Sequence, residues 1–406
     1  MDKLGERNHY TFKNVLLETG FEYDGDEVVH TKTALFCVEI ANGKITAVTP
    51  NDPYRDGIDA KGWLMLPAFK DMHAHLDKNL YGLPWQAVSD KRKTVKDQIA
   101  YEQKMIPEWL KTSIERTGKL IDFLQSNGTD FIRSHFNIDP TSGFNSLKHL
   151  EIALKNKEQA LSAELVAFPQ HGLFYTDTAP LLKEVVKMNI DFIGGVDPYS
   201  IDGSIGKPMD LITQLAIDNN KGIDIHLHEV GETGVKTIEY LIHAANENPV
   251  LRGKTFVSHA FALGHLSDLE TERMAARLAE AGVGIVSSVP FGNTVMPIPL
   301  LRKHGVEVLI GNDNIQDHWN TFGPGHMLQK TRLIAGLYGY TSEWALSRTL
   351  GFATRYLTPL DDKGNQQWPK AGNDANLVFL EASCSAEAVA RVSPVKSLVH
   401  KGKVVF

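Results

Sequence analysis

Apolar and polar positions follow two different rhythms along this chain. Between about residues 64 and 359, short apolar runs give way to longer stretches with helical spacing. The runs cover 64–72, 131–138, 164–168, 192–196, 223–228, 255–259, 283–289 and 307–310, eight in all. Of the intervening stretches, 179–188 places Leu181, Leu182, Val185 and Val186 on one face. The stretch 266–281 opens on Ser267 with Glu270 three residues later, the spacing of a capping box. Eight strand–helix repeats predict an α/β fold, a (β/α)8 TIM-like barrel. An open doubly wound sheet is the alternative. No glycine-rich phosphate loop opens any of the helices, which weighs against it.

The two ends read differently. Residues 11–19 and 34–40 are rich in β-branched and apolar side chains, and Asn42-Gly43 marks a tight hairpin before 44–48. Residues 375–380 read as a strand, and 397–406 as two short strands around Lys401-Gly402. Segments 1–65 and 360–406 are therefore expected to build one small sheet domain beside a barrel of residues 66–359.

Composition narrows the class. The chain has 406 residues, 42% of them hydrophobic, and a formal charge of -7, which excludes the basic footprint of a nucleic-acid binder. The densest basic cluster, Lys91-Arg92-Lys93, reads as a solvated helix start. Two cysteines, Cys37 and Cys384, fit a reducing cytoplasm and rule out a thiolate zinc site. Residues 1–14 carry no apolar signal core, and no stretch approaches the roughly 20 apolar residues that span a bilayer. A cytoplasmic protein without membrane or nucleic-acid partners is expected.

The candidate chemistry sits where the apolar runs end. His73 and His75 follow the first run, and residues i and i+2 of a strand point the same way. Two imidazoles on one face can grip a metal ion. Alone the pair is weak, because a chain with 16 histidines contains such pairs by chance. His226 and His228 close the fifth run with Glu229 next, His259 closes the sixth, and Asp313 follows the eighth. In a parallel barrel all these ends converge on one mouth, so remote residues become neighbours around a shared metal.

These segments resemble the amidohydrolase superfamily, in its cytosine deaminase and N-isopropylammelide amidohydrolase branch. The supporting strings are PAFKDMHAHLDK (67–78), RSHFNID (133–139), VAFPQHG (166–172), GGVDP (194–198), HLHEVGETG (226–234), SHAFAL (258–263) and GNDNIQDHW (311–319). The resemblance covers nearly the whole chain and implies that the terminal segments form a small β-sandwich. It implies a single divalent ion, zinc or iron, held by His73, His75, His226 and Asp313. Members with two metals use a carbamylated lysine at the fourth strand, where this chain has Gly194-Gly195-Val196-Asp197-Pro198. Asp197 is expected to cap the turn before Pro198. His259 is implied to polarise substrate or water. Glu229 matches the acid that shuttles a proton to a ring nitrogen, with His228 as the other candidate. Gln170 is implied to bond the substrate's amide edge with one donor and one acceptor, and Asn314 and Trp319 to line the pocket. The chain departs from the family pattern at Ala68, Lys70, Asn312 and Asn376. Asn312 replaces a common histidine and is expected to shift the pocket edge.

The implied reaction is hydrolytic deamination or dealkylamination of a small cyclic amidine such as an aminopyrimidine, aminotriazine or pterin. A metal-held water has its pKa lowered toward about 7 and becomes a nucleophile at neutral pH. Asp313 then accepts and returns a proton, and Glu229 protonates the ring. Alternatives are a cyclic amide or imide hydrolase, and a metal-binding scaffold without activity. Relatives in this branch are commonly oligomers, so a homo-oligomer is expected.

Overall fold

The computed structural model describes residues 9–91, 94–157, 160–290 and 292–406. Arg92 and Lys93 of the basic cluster, and the first eight residues, lie outside them. The middle region forms eight parallel strands: Phe69–Ala74, Thr129–Asn137, Ser162–Phe168, Phe192–Val196, Gly222–His226, Thr255–Ser258, Val283–Ser287 and Val308–Ile310. Each pairs with the next in chain order. The eighth returns to the first at the Ala74–Asp313 bridge, where the Asp313 amide donates to the His73 carbonyl at 2.7 Å. The fold is therefore the (β/α)8 barrel that the alternation predicts. Gly311 permits this seam, since a Cβ there would stand 2.4 Å from the His73 nitrogen.

Local signals set the surrounding helices. Ser267 Oγ accepts from the Glu270 amide and Glu270 accepts from the Ser267 amide, so helix Asp268–Ala281 begins at a capping box. The helix expected over 179–188 is shorter, Ala179–Val185, and still buries Leu182 and Val185. A further helix, Val95–Leu110, is inserted ahead of Ser113–Ser126 and covers the barrel mouth. Its buried positions Ile99, Glu102, Ile106 and Trp109 follow helical spacing, and Ile99 packs with Phe168, Val196 and Ile201. A carboxylate thus stands within an otherwise largely apolar face.

The terminal segments join in one mixed sheet of eight strands. Its long hairpin, His9–Asp24 with Glu27–Ala41, continues to Lys44–Pro50 through Asn42 and Gly43, both at positive φ (51° and 76°). Phe12, Val15, Ile40, Ile45, Met65, Trp368 and Phe379 give this sheet a core of its own. The apolar run 64–72 turns out to be two strands. Leu64–Pro67 pairs with Leu377–Leu380 in the terminal sheet, and Phe69–Ala74 opens the barrel. The handover takes two residues: the Ala68 amide donates to Asn376 and the Phe69 amide to Gly128. Lys70 serves the junction, because its Nζ lies 2.5 Å from Asp130, which also receives His400 Nδ1 at 3.0 Å. Cys37 and Cys384 are buried free thiols. Among the described residues no helix is long and apolar enough to cross a membrane.

Candidate active site

The barrel brings the strand-end histidines into one buried cluster. His73 Nε2 and His75 Nε2 each lie 3.4 Å from Asp313 Oδ1, and His226 Nε2 lies 3.3 Å from His75 Nε2. A tetrahedral shell with bonds of about 2.0–2.2 Å spaces its donor atoms about 3.3–3.6 Å apart. The three measured spacings have that scale, and His73, His75 and Asp313 lie within 4.8 Å of one another, with His226 beside His75. Hydrogen bonds on the far side of two rings fix their tautomers. His75 Nδ1 donates to the His135 carbonyl at 3.2 Å. His73 Nδ1 lies 2.9 Å from Ser258 Oγ, whose own proton goes to Asp224 Oδ1 at 2.5 Å. Both Nε2 lone pairs are thereby turned inward, with Ser258 and Asp224 supporting the His73 ring.

Two other groupings lie alongside. His259 shares a span of 4.8 Å with His73 and His226, and its Nε2 has no hydrogen bond among the described residues. His135 and Asp224 also approach His73 within that span. Asp224, however, is already engaged by Arg133 Nη1 at 3.1 Å and by Ser258, which leaves little charge there for an ion. The fourth strand supplies no ligand, since Gly194 and Gly195 have no side chains.

Burial sets the charge state of the cluster. It pushes His75 down to about 3, helped by the Lys78 ammonium, and holds His135, His226 and His259 well below the ordinary imidazole value. Those four rings are neutral at pH 7, the form that binds metal. Burial alone would raise Asp313; the neighbouring histidines, His259 first and then His73 and His75, outweigh it and hold the carboxyl well below its usual range. Asp197, His259 and Asp313 sit at φ 36°, 69° and 65°. Such left-handed backbone at non-glycine residues costs on the order of 1–3 kcal/mol each and clusters at functional sites.

Beside the cluster stand the expected acid–base groups. Glu229 Oε1 accepts from the Ser200 amide at 2.6 Å, while the buried Oε2 has no partner among the described residues. Burial raises its carboxyl above the usual range. His228 stacks on His259 at 4.5 Å, and its Nδ1 bonds Asp197 Oδ2 at 2.9 Å. Burial would lower His228, but the Asp197 charge and hydrogen bond raise it overall. Asp197 thus does not cap the turn before Pro198. Its Oδ1 accepts from the His228 and Glu229 amides at 2.6 and 3.1 Å, so it positions both candidate shuttles.

The remaining expected residues lie across the mouth. Phe168 stacks on His226 with ring centroids 3.9 Å apart. Gln170, two residues on, accepts from Lys78 Nζ through Oε1. Trp319 Nε1 donates to Glu102 Oε1 at 2.9 Å. Asn314 Nδ2 is held by Asp317 Oδ2 at 2.6 Å, which ties it to its own loop. Asn312 does not reach the pocket edge: its Nδ2 donates to Asp71 Oδ2 at 2.8 Å beneath the first strand. Sequence reasoning missed Lys78, Glu102 and His171. Glu102 accepts from His171 Nε2 at 2.8 Å, and His318 Nε2 lies 3.0 Å away. Burial would raise Glu102; Lys78 and His171 hold it well below its usual range. Burial would lower His171, but Asp139 and Glu102 lift it to about 9.

Known proteins share this architecture. The family model described as the amidohydrolase family matches residues 131–406. YahJ of Escherichia coli (strain K12), whose role is uncharacterised, is 45% identical over 403 residues, covering 98% of this chain and 88% of its own. N-isopropylammelide isopropyl amidohydrolase of Pseudomonas sp. (strain ADP) is 28% identical over 285 residues, 68% of this chain and 69% of its own. The crystal structure of N-isopropylammelide isopropylaminohydrolase from Burkholderia multivorans superposes with a TM-score of 0.84 at 26% identity, covering 98% of each chain. The chain belongs to the amidohydrolase family and is a hydrolase of carbon–nitrogen bonds other than peptide bonds.

Proposed function

We propose that this site hydrolyses the exocyclic carbon–nitrogen bond of a small amino-heterocycle, releasing ammonia or an amine and leaving a ring carbonyl. The observation that carries the reading is the convergence of four donor atoms with a buried, half-free carboxyl beside them. His73, His75, His226 and Asp313 would hold one divalent ion, zinc or iron, which lowers the pKa of water from 15.7 toward about 7. The chain's own residues supply the rest. Asp313 takes the proton of the attacking water and passes it to the leaving nitrogen. Glu229, with Oε2 unpartnered and its carboxyl raised by burial, gives a proton to the ring nitrogen and makes the attacked carbon electrophilic. His259, neutral and unpartnered at Nε2, hydrogen-bonds the developing negative charge. Asp197 holds His228 and Glu229 in register.

An amine-release screen across aminopyrimidines, aminotriazines and pterins, with metal measured on the same sample, tests the reaction class. A ring-opened product without amine would point instead to cyclic amide hydrolysis. Glu229→Gln is expected to leave metal content intact and to slow turnover about 10²- to 10⁴-fold. A near-normal rate in that variant would move the shuttle to His228.

A further inference from the structure

The barrel interior carries a charge that no step of the reaction uses. Arg133 is 1% exposed and lies between two rings, with Cζ 4.1 Å from the Phe192 centroid and 4.4 Å from that of Phe256. Its Nε donates to Glu164 Oε2 at 2.8 Å, and its Nη1 to Asp224 Oδ2 at 3.1 Å. Asp224 stands two residues before His226, on the same face of its strand. Its other oxygen, Oδ1, receives the Ser258 hydroxyl, and Ser258 Oγ lies 2.9 Å from His73 Nδ1. Arg133, Asp224, Ser258 and His73 are all buried. A row of polar groups thus runs from the guanidinium to the imidazole.

The row has a direction. A guanidinium only donates, and a carboxylate paired with it only accepts. Ser258 gives its single proton to Asp224, so toward His73 it can only accept. We propose that Arg133 is the positioning residue that sets this direction, acting on His73 through Asp224 and Ser258. Arg133 and Ser258 meet different oxygens of Asp224, and this separation is what couples them. The end facing Arg133 must accept, which fixes what the opposite end offers to Ser258. In the native chain the opposite end is a second acceptor. In Asp224→Asn the carbonyl would turn to Arg133 and the NH2 to Ser258. The hydroxyl would then donate to Nδ1, and the imidazole proton would move to Nε2, the atom that faces Asp313. The inference rests on the proposed function for treating His73 as a metal ligand, and goes beyond it in giving Arg133 a role.

Zinc affinity of the full chain, stripped of metal and titrated against a chromophoric chelator, tests this without any substrate. Ser258→Ala removes the acceptor of the Nδ1 proton and is expected to weaken zinc about tenfold. Asp224→Asn reverses the row and is expected to weaken it about a hundredfold; these are the two ends of the range for outer-shell groups. The double variant Asp224→Asn/Ser258→Ala has no hydroxyl to donate and should return to the tenfold loss. Arg133→Met added to Asp224→Asn frees the amide to turn and should also recover affinity. A role in packing alone predicts that independent losses multiply, to about a thousandfold in the first double variant. Multiplied losses, native affinity in Asp224→Asn, or no recovery with Arg133→Met overturns the proposal. If Asp224→Asn does not fold, Arg133→Met decides in the native and Ser258→Ala backgrounds. It should shift zinc affinity more while the hydroxyl is present, and an equal shift in both overturns the proposal. The amine-release screen separates this from the broader reading. The expected recovery with no amine from any ring defeats the proposed function alone. Amine release by the native chain, with multiplied zinc losses, defeats this inference alone.

Discussion

Two buried clusters share the barrel mouth, separated by the Phe168 ring, and they are opposite in charge state. On one side His75, His135, His226 and His259 are all pushed below the ordinary imidazole range, and Asp313 is the carboxylate among them. On the other, His171 is raised to about 9 and Glu102 is held well down. Burial alone pushes every group in both toward its neutral form. The difference lies in the partners. An imidazole surrounded by imidazoles has nothing to keep its proton, whereas one lying between two carboxylates does. A metal needs deprotonated ligands, the state in which burial holds His75, His226 and His259.

The largest effect is expected from breaking the neutral cluster. Asp313→Ala removes the oxygen equidistant from His73 and His75. Turnover should fall at least about a thousandfold, and metal affinity by more than about a hundredfold, since even outer-shell changes cost 10- to 100-fold. Metal analysis after dialysis against a chelator checks this; full metal retention would remove Asp313 from the ligand set.

Breaking the charged cluster should act on stability instead. Glu102→Gln keeps the shape and an acceptor for Trp319 but leaves Lys78 and His171 without the carboxylate they share. Removing one partner of a buried ion pair costs about 3–5 kcal/mol. Urea denaturation should register that loss, while the folded fraction keeps its metal. Unchanged stability would mean that the network is solvated rather than interlocked.

The two clusters also differ in how far the sequence reveals them. His73 and His75 stand out because a strand repeats every two residues, and His226, His259 and Asp313 because each closes an apolar run. The same patterning locates the eight barrel strands and the Ser267–Glu270 cap. It misreads 64–72 as one strand because apolar character continues through Pro67 and Ala68 while the hydrogen-bond partners switch sheets. Glu102 gives no local signal at all. It is one more charged residue on a helix, and its partners His171 and Trp319 lie 69 and 217 residues away. Asp197 is similar: beside Pro198 it reads as a cap, and only the folded barrel carries it to His228, 31 residues on. Periodicity reports which way a side chain faces; which other side chain it meets depends on closure of the barrel.

The smallest expected effect sharpens the contrast by pH. His171 has its pKa raised in the folded state from 6.5 to about 9, against burial, by Asp139 and Glu102. A group raised on folding contributes stability that is fully present below its unfolded value and is lost as pH climbs through the folded one. The contribution of His171 should therefore be whole below about pH 6.5 and gone above about pH 9. Each tenfold gain in proton affinity is worth about 1.4 kcal/mol, so the pH-dependent part is at most about 3.5 kcal/mol. His171→Asn cannot carry the charge. The stability gap between the native chain and this variant, measured by urea denaturation in metal-saturated buffer, should be widest near pH 6 and narrow toward pH 9.5 to the residue left by lost packing and neutral hydrogen bonds. His75, His226 and His259, lowered on folding, give a slope of the opposite sign near pH 6.5 that is the same in both chains and cancels in the gap. A gap that stays constant from pH 6 to 9.5 would mean that His171 is neutral when folded, and the two clusters would then be alike.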